Sequence, residues 1–559
     1  MEDIFGGIKF MNLKKIIAAS TAFAAILILA GCGKSTQSNN TGNGKYAKTQ
    51  TLNWTENTAL ATADISKATD TLSFDVLMNT QEGLYRLDKN GTPKGALATK
   101  TTITDNGKHY TFDLRKGVKW TNGDPVTAKD FVYSWQRTVA PKTASQDAFY
   151  FFQVKNAEAI NSGKKPVSSL GIKADGNYKL EVTLTKPVTY FKKLLAWPLF
   201  FPINQNAVNK FGEKYGTASK YTVSDGPFKL TKWSGTSKSW TLAKNDSYWD
   251  KKAVHLNKIN ELVSEDTTTS YNLFTAKKTD ATLLSGQQVK NNQHNPNFVK
   301  RLPTATTRLD LNQNKVKAFK NFNIRRAFSL AINRSQLTKN VLQDGSVPLK
   351  GFVPAKMGNN PKTGEAFDKE AYVKDAVSYN LNQAKTLLKK GYKQTGVKQL
   401  HVTLLTSDTD SSKDAAEFIQ ADLQKLPGVK IQVQSIPFVQ LISKQADKNY
   451  QTTVQTWQSV FADPINFLDV FEKGSSYNTS GYNSSKYDTL LDQSENKFGN
   501  QPEKRWSNLV EAEKTLMNDQ GTIPLYQVAK SQLLRKNVKN VVYNPAGVPY
   551  DWKTTYIAK

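Results

Sequence analysis

Between Gln399 and Val433 the apolar residues change their period twice. His401–Thr406 is a short apolar-rich run; Ala416, Ile419, Leu423 and Leu426 then recur at helical spacing; after Gly428 a second short run spans Lys430–Val433. Runs of that kind predict strands and the spacing between them predicts a helix, so the unit reads strand, helix, strand. Two strands joined by a helix favour a parallel pair with a right-handed crossover. Ile324, Ala327, Phe328, Ala331 and Ile332 form the apolar stripe of another helix, and the same spacing turns Arg325, Arg326 and Arg334 outward as a solvated run. Asp124, Pro125 and Thr127 open a third helix, with Thr127 as its cap and Ala128, Phe131, Val132 and Trp135 on the buried face. Trp506, Leu509, Val510, Leu516 and Met517 mark a fourth near the end. Turn clusters such as Asp88-Lys-Asn-Gly91 and Ser224-Asp-Gly-Pro227 punctuate a mixed α/β body without an internal repeat.

The one long apolar run, Ile16–Ala30, follows Lys14 and Lys15 and ends in Leu29-Ala30-Gly31-Cys32. A basic start, an apolar stretch too short for a comfortable span and small residues before a cut are the parts of a secretory signal. The end of the run resembles a bacterial lipobox, in which the thiol of Cys32 is acylated after removal of residues 1–31. Each buried methylene of the acyl chains contributes about 0.8 kcal/mol, enough in a doubly acylated residue to hold a globular protein at a membrane face. Residues 1–10 match no part of a signal and read as a misassigned start; residues 32–48, rich in Ser, Asn, Gly and Thr, read as a flexible tether. Gly33-Lys34-Ser35 imitates the end of a phosphate-binding loop, but the first glycine of that motif would fall on Ile28, so nucleotide binding is rejected.

Composition narrows the classes further. The 559 residues are several lobes' worth of chain, and a single Cys excludes disulfides and thiolate zinc sites. His109, His255, His294 and His401 are too scattered for metal-ligand spacing. There is no G-x-S-x-G, no H-E-x-x-H and no dinucleotide fingerprint, so no catalytic residue and no cofactor is assigned. The formal net charge is +29, and removing residues 1–31 takes away three lysines and two acids to leave +28. Export makes nucleic acid an unsuitable partner for that charge and wall phosphates or lipid headgroups suitable ones. A basic surface adhesin is therefore an alternative function, separable by the steep salt dependence expected of it.

Thr111–Arg137, TFDLRKGVKWTNGDPVTAKDFVYSWQR, resembles the signature of the oligopeptide, dipeptide and nickel binding proteins of ABC importers, extracellular solute-binding protein family 5. The resemblance continues through Glu82-Gly-Leu-Tyr-Arg-Leu87, Asp225-Gly-Pro-Phe228, Asn245–Asp250, Arg325–Arg334, Trp457 with Asp463-Pro464, and Ile523-Pro-Leu-Tyr526. The blocks keep the family's order across residues 50–559. The resemblance implies a two-lobed, periplasmic-binding-protein-like α/β fold (type II, cluster C) with an extra subdomain in the N-terminal lobe. It places lobe I at 49–90, 222–313 and 525–559, the extra subdomain at 91–221 and lobe II at 314–524. It also implies a lipid-anchored monomer on the outer face of the cytoplasmic membrane of a Gram-positive cell, which captures an oligopeptide between the lobes and delivers it to ABC permease subunits. Within the family, a peptide signal, metal chelate or oligosaccharide is the alternative ligand.

By the same resemblance Thr456, Trp457 and Gln458 lie along the ligand, with main-chain groups of Thr456 and Gln458 as partners, since backbone bonds to an extended peptide do not depend on its sequence. Asn478, Tyr482, Glu82 and Tyr85 are expected to face the cleft. One departure stands out. Enteric members carry Trp-x-x-Asp, whose carboxylate meets the peptide's ammonium, and an Arg three residues before the Trp; here those positions are Val460 and Val454. A buried unpaired ammonium costs several kcal/mol. The ligand is therefore expected to be a longer peptide whose ends reach solvent, or its termini are read by other residues, with Asp463 a candidate substitute.

Overall fold

The computed structural model of the chain describes residues 44–559, so the signal segment, Cys32 and most of the tether lie outside the described residues. In chain order the main strands begin with β1 (Thr51–Glu56), β2 (Ala98–Thr104), β3 (His109–Leu114), β4 (Ile172–Asp175) and β5 (Lys179–Thr183). They continue with β6 (Phe228–Thr231), β7 (Ser239–Lys244), β8 (Lys258–Val263), β9 (Ala281–Leu283) and β10 (Phe298–Arg301). The rest are β11 (Ala305–Leu311), β12 (Val347–Pro348), β13 (Leu400–Ser407), β14 (Val429–Ile436), β15 (Thr452–Gln458), β16 (Ile523–Gln527) and β17 (Lys530–Leu534).

Four sheets result. The orders are β1-β8-β7-β6 and β9-β17-β10 in the first lobe, β2-β3-β5-β4 in the extra subdomain, and β12-β16-β11-β15-β13-β14 in the second lobe. The first lobe's core gathers Trp54, Trp233, Trp240 and Trp552 around β1 and β7. The strand–helix–strand unit forms as the periodicity predicts: β13 and β14 run parallel from Leu400 opposite Val429 to Ser407 opposite Ile436. The helix between them buries Ala416, Ile419 and Leu423. Ala128–Val139 is likewise helical, and its first turn is closed by Thr127 N–H donating to the Asp130 carboxylate at 2.7 Å.

β11 and β16 pair with each other from Thr306 opposite Gln527 to Leu309 opposite Ile523, so both belong to the second lobe's sheet. The chain accordingly passes between lobes at residues 302–304 and 528–529, the gaps between β10 and β11 and between β16 and β17. The boundaries expected at 313/314 and 524/525 move to those gaps. An isolated strand shows no sign of which sheet it joins, because the pairing is between segments some two hundred residues apart.

The arginine run is a second correction. Arg325, Arg326 and Arg334 are 7%, 7% and 4% exposed, not solvated. Arg325 donates to the carbonyls of Asp519, at 2.6 Å, and Gln520, at 3.0 Å. Arg326 donates to Met517 O at 2.8 Å and Asn518 O at 2.9 Å. These carbonyls end the helix Pro502–Asn518, where four C=O groups lack intrahelical partners and the helix dipole is negative. Arg334 holds Pro524 O at 2.6 Å, Ser329 O at 3.0 Å and Val377 O at 3.0 Å. The stripe of apolar residues is buried as its spacing predicts, but the arginines face a second packed surface on the other side of the helix.

Candidate ligand-binding cleft

β15 lies between β11 and β13 in the second lobe's sheet, but its two neighbours cover it unequally. β11 opposes all of it, from Leu311 opposite Thr452 to Ala305 opposite Gln458, whereas β13 pairs only at Thr452 and Thr453. Ser459 N–H donates to Thr304 O at 3.0 Å, and Val528 N–H donates to Ala305 O at 3.0 Å. Thr304 therefore faces β15 and Ala305 faces β16. Because main-chain groups alternate sides along a strand, Thr306 bonds to its opposite number Trp457. The N–H and C=O of Thr456 and Gln458 point the other way, to the edge that β13 leaves open. Gln445, on the helix Phe438–Ala446, closes the start of that edge by donating to Val454 O at 3.1 Å. Past it, no strand among the described residues covers Thr456 or Gln458.

The side chains follow the same division. Thr456 and Gln458 are exposed and Trp457 is half-buried. The indole N–H of Trp457 donates to Asn466 O at 2.6 Å, and its ring meets Tyr477 edge-on with centroids 4.7 Å apart. The end of β15 opens into a cavity of ≈ 250 Å³ lined by Gln458, Val460, Thr71, Asp147, Tyr150 and Trp197, among others. A second cavity of ≈ 560 Å³ shares Trp197 and Val460 with it and adds Lys193. A third of ≈ 540 Å³ shares Lys193 with the second. Together they form a row between the lobes, in which an open strand edge is flanked by aromatic and charged side chains.

Of the other residues expected in the cleft, most are spent on the fold. Glu82 is fully buried, pairs with Arg86 at 2.7 Å and accepts from Tyr248 Oη, and Arg86 in turn pairs with Asp551 at 2.8 Å. Tyr85 is buried with its hydroxyl against Thr101. Asn478 donates to Tyr482 O at 2.8 Å, and Tyr482 Oη donates to Asp519 at 2.8 Å. None of these four lines any of the cavities above. The local turn and packing roles claim the Glu82 carboxylate, the Tyr85 and Tyr482 hydroxyls and the Asn478 amide N–H, each of which finds a partner inside the fold, while Asn478 Oδ1 is buried without one. Asp463 does line the third cavity, yet both its oxygens are held by Arg505, at 3.0 and 2.9 Å, and Arg505 also meets Glu495 at 2.9 Å. Its charge is committed.

Thr71, Asp147, Tyr150 and Trp197 are cleft residues that no sequence motif singles out; they come together only because the extra subdomain leans over β15. Burial pushes the Asp147 carboxyl up to about 6. Burial also raises Asp469, with Glu495 adding to the effect, to about 8. Lys193 is lowered by burial, and its ammonium donates to Ala462 O. Among the described residues no group of three His, Cys, Asp or Glu side chains is placed to hold a metal, and no helix is long and apolar enough to cross a membrane.

The profile of bacterial extracellular solute-binding proteins, family 5 (middle), matches residues 92–479. The dipeptide-binding protein of Lactococcus lactis subsp. cremoris is 34% identical over 98% of this chain and 100% of its own length. The oligopeptide-binding protein OppA of Bacillus subtilis is 32% identical over 94% and 96%. Among solved structures, Listeria monocytogenes OppA bound to peptide superposes with a TM-score of 0.77 at 38% identity, covering 92% of this chain and 100% of that one. These neighbours share the two-lobed fold. With sequence profile, relatives and architecture in agreement over nearly the whole length, the chain belongs to family 5 of the bacterial extracellular solute-binding proteins.

Proposed function

We propose that this protein captures oligopeptides between its lobes outside the cytoplasmic membrane and delivers them intact to an ABC importer. The observation that carries the reading is the open edge of β15 at Thr456 and Gln458, two residues' worth of unpaired main-chain donors and acceptors, the second of which lines a cavity. A peptide laid along that edge completes the sheet, and the bonds it makes are the same for any sequence. The names of the relatives, dipeptide- and oligopeptide-binding proteins, support the same class of ligand. The passages at 302–304 and 528–529 serve as the hinge, and closure is favoured by contacts that both lobes make with the peptide. The protein performs binding without chemistry.

Mass spectrometry of what co-purifies with the protein tests this. Intact peptides of mixed sequence are expected; a sugar, a metal chelate or empty protein that binds no randomised peptide pool would overturn it. Anchoring through Cys32 is a separate part of the proposal. Cys32→Ala should release the protein from the membrane fraction, and its retention there would refute the lipid anchor.

A further inference from the structure

Asp147 lies in the extra subdomain, just before the short turn Ala148–Phe151, and is half-buried in the ≈ 250 Å³ cavity at the end of β15. In a chain with 76 Lys and Arg against 47 Asp and Glu, most buried acids have found a cation, as Asp64, Asp463 and Asp551 have. Asp147 has none: among the described residues no Lys, Arg or His approaches it within ion-pair distance, and no side-chain hydrogen bond reaches its carboxylate. Its surroundings are aromatic. Tyr150 and Trp197 line the same cavity, with ring centroids 4.8 Å apart and planes nearly perpendicular. An unpaired carboxylate beside aromatic faces, at a site partly shielded from water, is a cation receptor in its chemistry.

The cavity also holds Val460, the position at which a carboxylate would otherwise be expected, and Gln458, whose main-chain groups face the open edge. A peptide paired along Thr456 and Gln458 brings an end into this cavity. Asp463 is excluded from meeting that end by its two bonds to Arg505. Asp469 acts on the same tyrosines, Tyr150 and Tyr477, but burial and the neighbouring Glu495 raise its carboxyl further than burial raises that of Asp147.

We infer that Asp147 is the counter-charge for the α-ammonium of a bound peptide, replacing the charge absent at Val460. This rests on the peptide-binding reading above. The chain thus moves the charge from the segment just after β15 to the extra subdomain, so that recognition of the terminus requires both walls of the cleft and favours the closed arrangement.

Calorimetry with equimolar randomised pentapeptide pools tests it: one pool free of Lys, Arg and His with free amino termini, the same pool acetylated, and an acetylated pool containing one Lys. The wild-type protein is expected to bind the free pool about tenfold more tightly than the acetylated one. Asp147→Asn should bring the free pool to the level of the acetylated pool and leave the acetylated pool unchanged, with Asp147→Glu restoring part of the difference. Equal binding of the free and acetylated pools by wild type, which needs no variant, overturns the inference while leaving peptide binding intact. So does a difference that survives in Asp147→Asn, or a gain carried by the Lys-containing pool alone. Failure of the wild-type protein to bind any pool would instead remove the peptide-binding reading itself.

Discussion

Tyr190 and Phe461 stack face to face across the cleft, with ring centroids 4.5 Å apart and planes 9° from parallel. Tyr190 comes from the extra subdomain and Phe461 from the loop that follows β15. The Tyr190 hydroxyl also donates to Glu495 at 3.3 Å, and Lys193 on the following turn meets Ala462 O. These contacts join the two walls of the row of cavities. If the lobes move about the proposed hinge, loss of these contacts should shift the population towards a more open arrangement.

An aromatic pair is worth roughly 0.5–1.5 kcal/mol beyond the area it buries. Phe461→Ala is therefore expected to weaken binding of a peptide pool by about threefold to tenfold and to enlarge the radius of gyration of the ligand-free protein in solution scattering. Unchanged scattering and unchanged affinity together would show that the stack does not hold the lobes.

The amide of Gln458 faces the open edge and that of Trp457 faces β11, so proline should act differently at the two positions. Gln458→Pro removes only a donor meant for the ligand and leaves a ligand carbonyl unpaired, at a cost of roughly 1–3 kcal/mol in affinity. Its thermal midpoint should stay close to wild type. Trp457→Pro breaks a ladder bond within the sheet and should lower the midpoint clearly. Equal stability losses in the two variants would refute the assignment of sides.

Among the described residues Arg334 meets no carboxylate, and from a site 4% exposed it serves four backbone carbonyls, three of them, Pro524, Ser329 and Val377, at 3.0 Å or less. Lysine keeps the charge but cannot span the three acceptors, and each buried carbonyl left bare costs about 1–3 kcal/mol. Arg334→Lys should therefore destabilise the protein by roughly 2 kcal/mol or more in denaturant unfolding. A solvated arginine would give a change within about 0.5 kcal/mol.

Glu513 is 1% exposed, accepts from Phe352 N–H at 2.5 Å, and has its other oxygen buried without a partner. Burial raises its carboxyl from 4.5 to about 7. Between those values the folded state holds a proton that the unfolded chain has released. Its contribution to stability is thus full below about pH 4.5 and is lost as pH rises through 7. Glu513→Gln keeps an acceptor without the charge, so its thermal midpoint should fall less than that of wild type between pH 5 and 8. Parallel pH profiles for the two proteins would show that Glu513 does not titrate in this window.

How much of this could be seen in advance depends on the range of the interaction. The strand–helix–strand unit over 400–436 and the capped helix at 128–139 were legible because each buries one stripe of its own residues, and the spacing of a stripe is a local property. The family resemblance alone points to main-chain groups of Thr456 and Gln458 as ligand partners; that their edge is open follows only from the tertiary structure, in which β13 stops pairing with β15 after Thr453. Glu82, Tyr85, Asn478 and Tyr482, expected to face the cleft, line none of the three cavities, and a polar residue in a motif looks the same whether it meets a ligand or a partner inside the core.

The order and period of the apolar residues are properties of the chain itself, and they determined a mixed α/β protein of several lobes. Which residues meet at the cleft was decided by the tertiary structure alone. Asp147, Trp197 and Gln458 are hundreds of residues apart at the extremes, and their proximity comes from sheets that pair strands across those distances. Hydrophobic burial acts on each segment wherever it lies, but a binding site requires particular side chains to share one volume, and only the packed fold places them there.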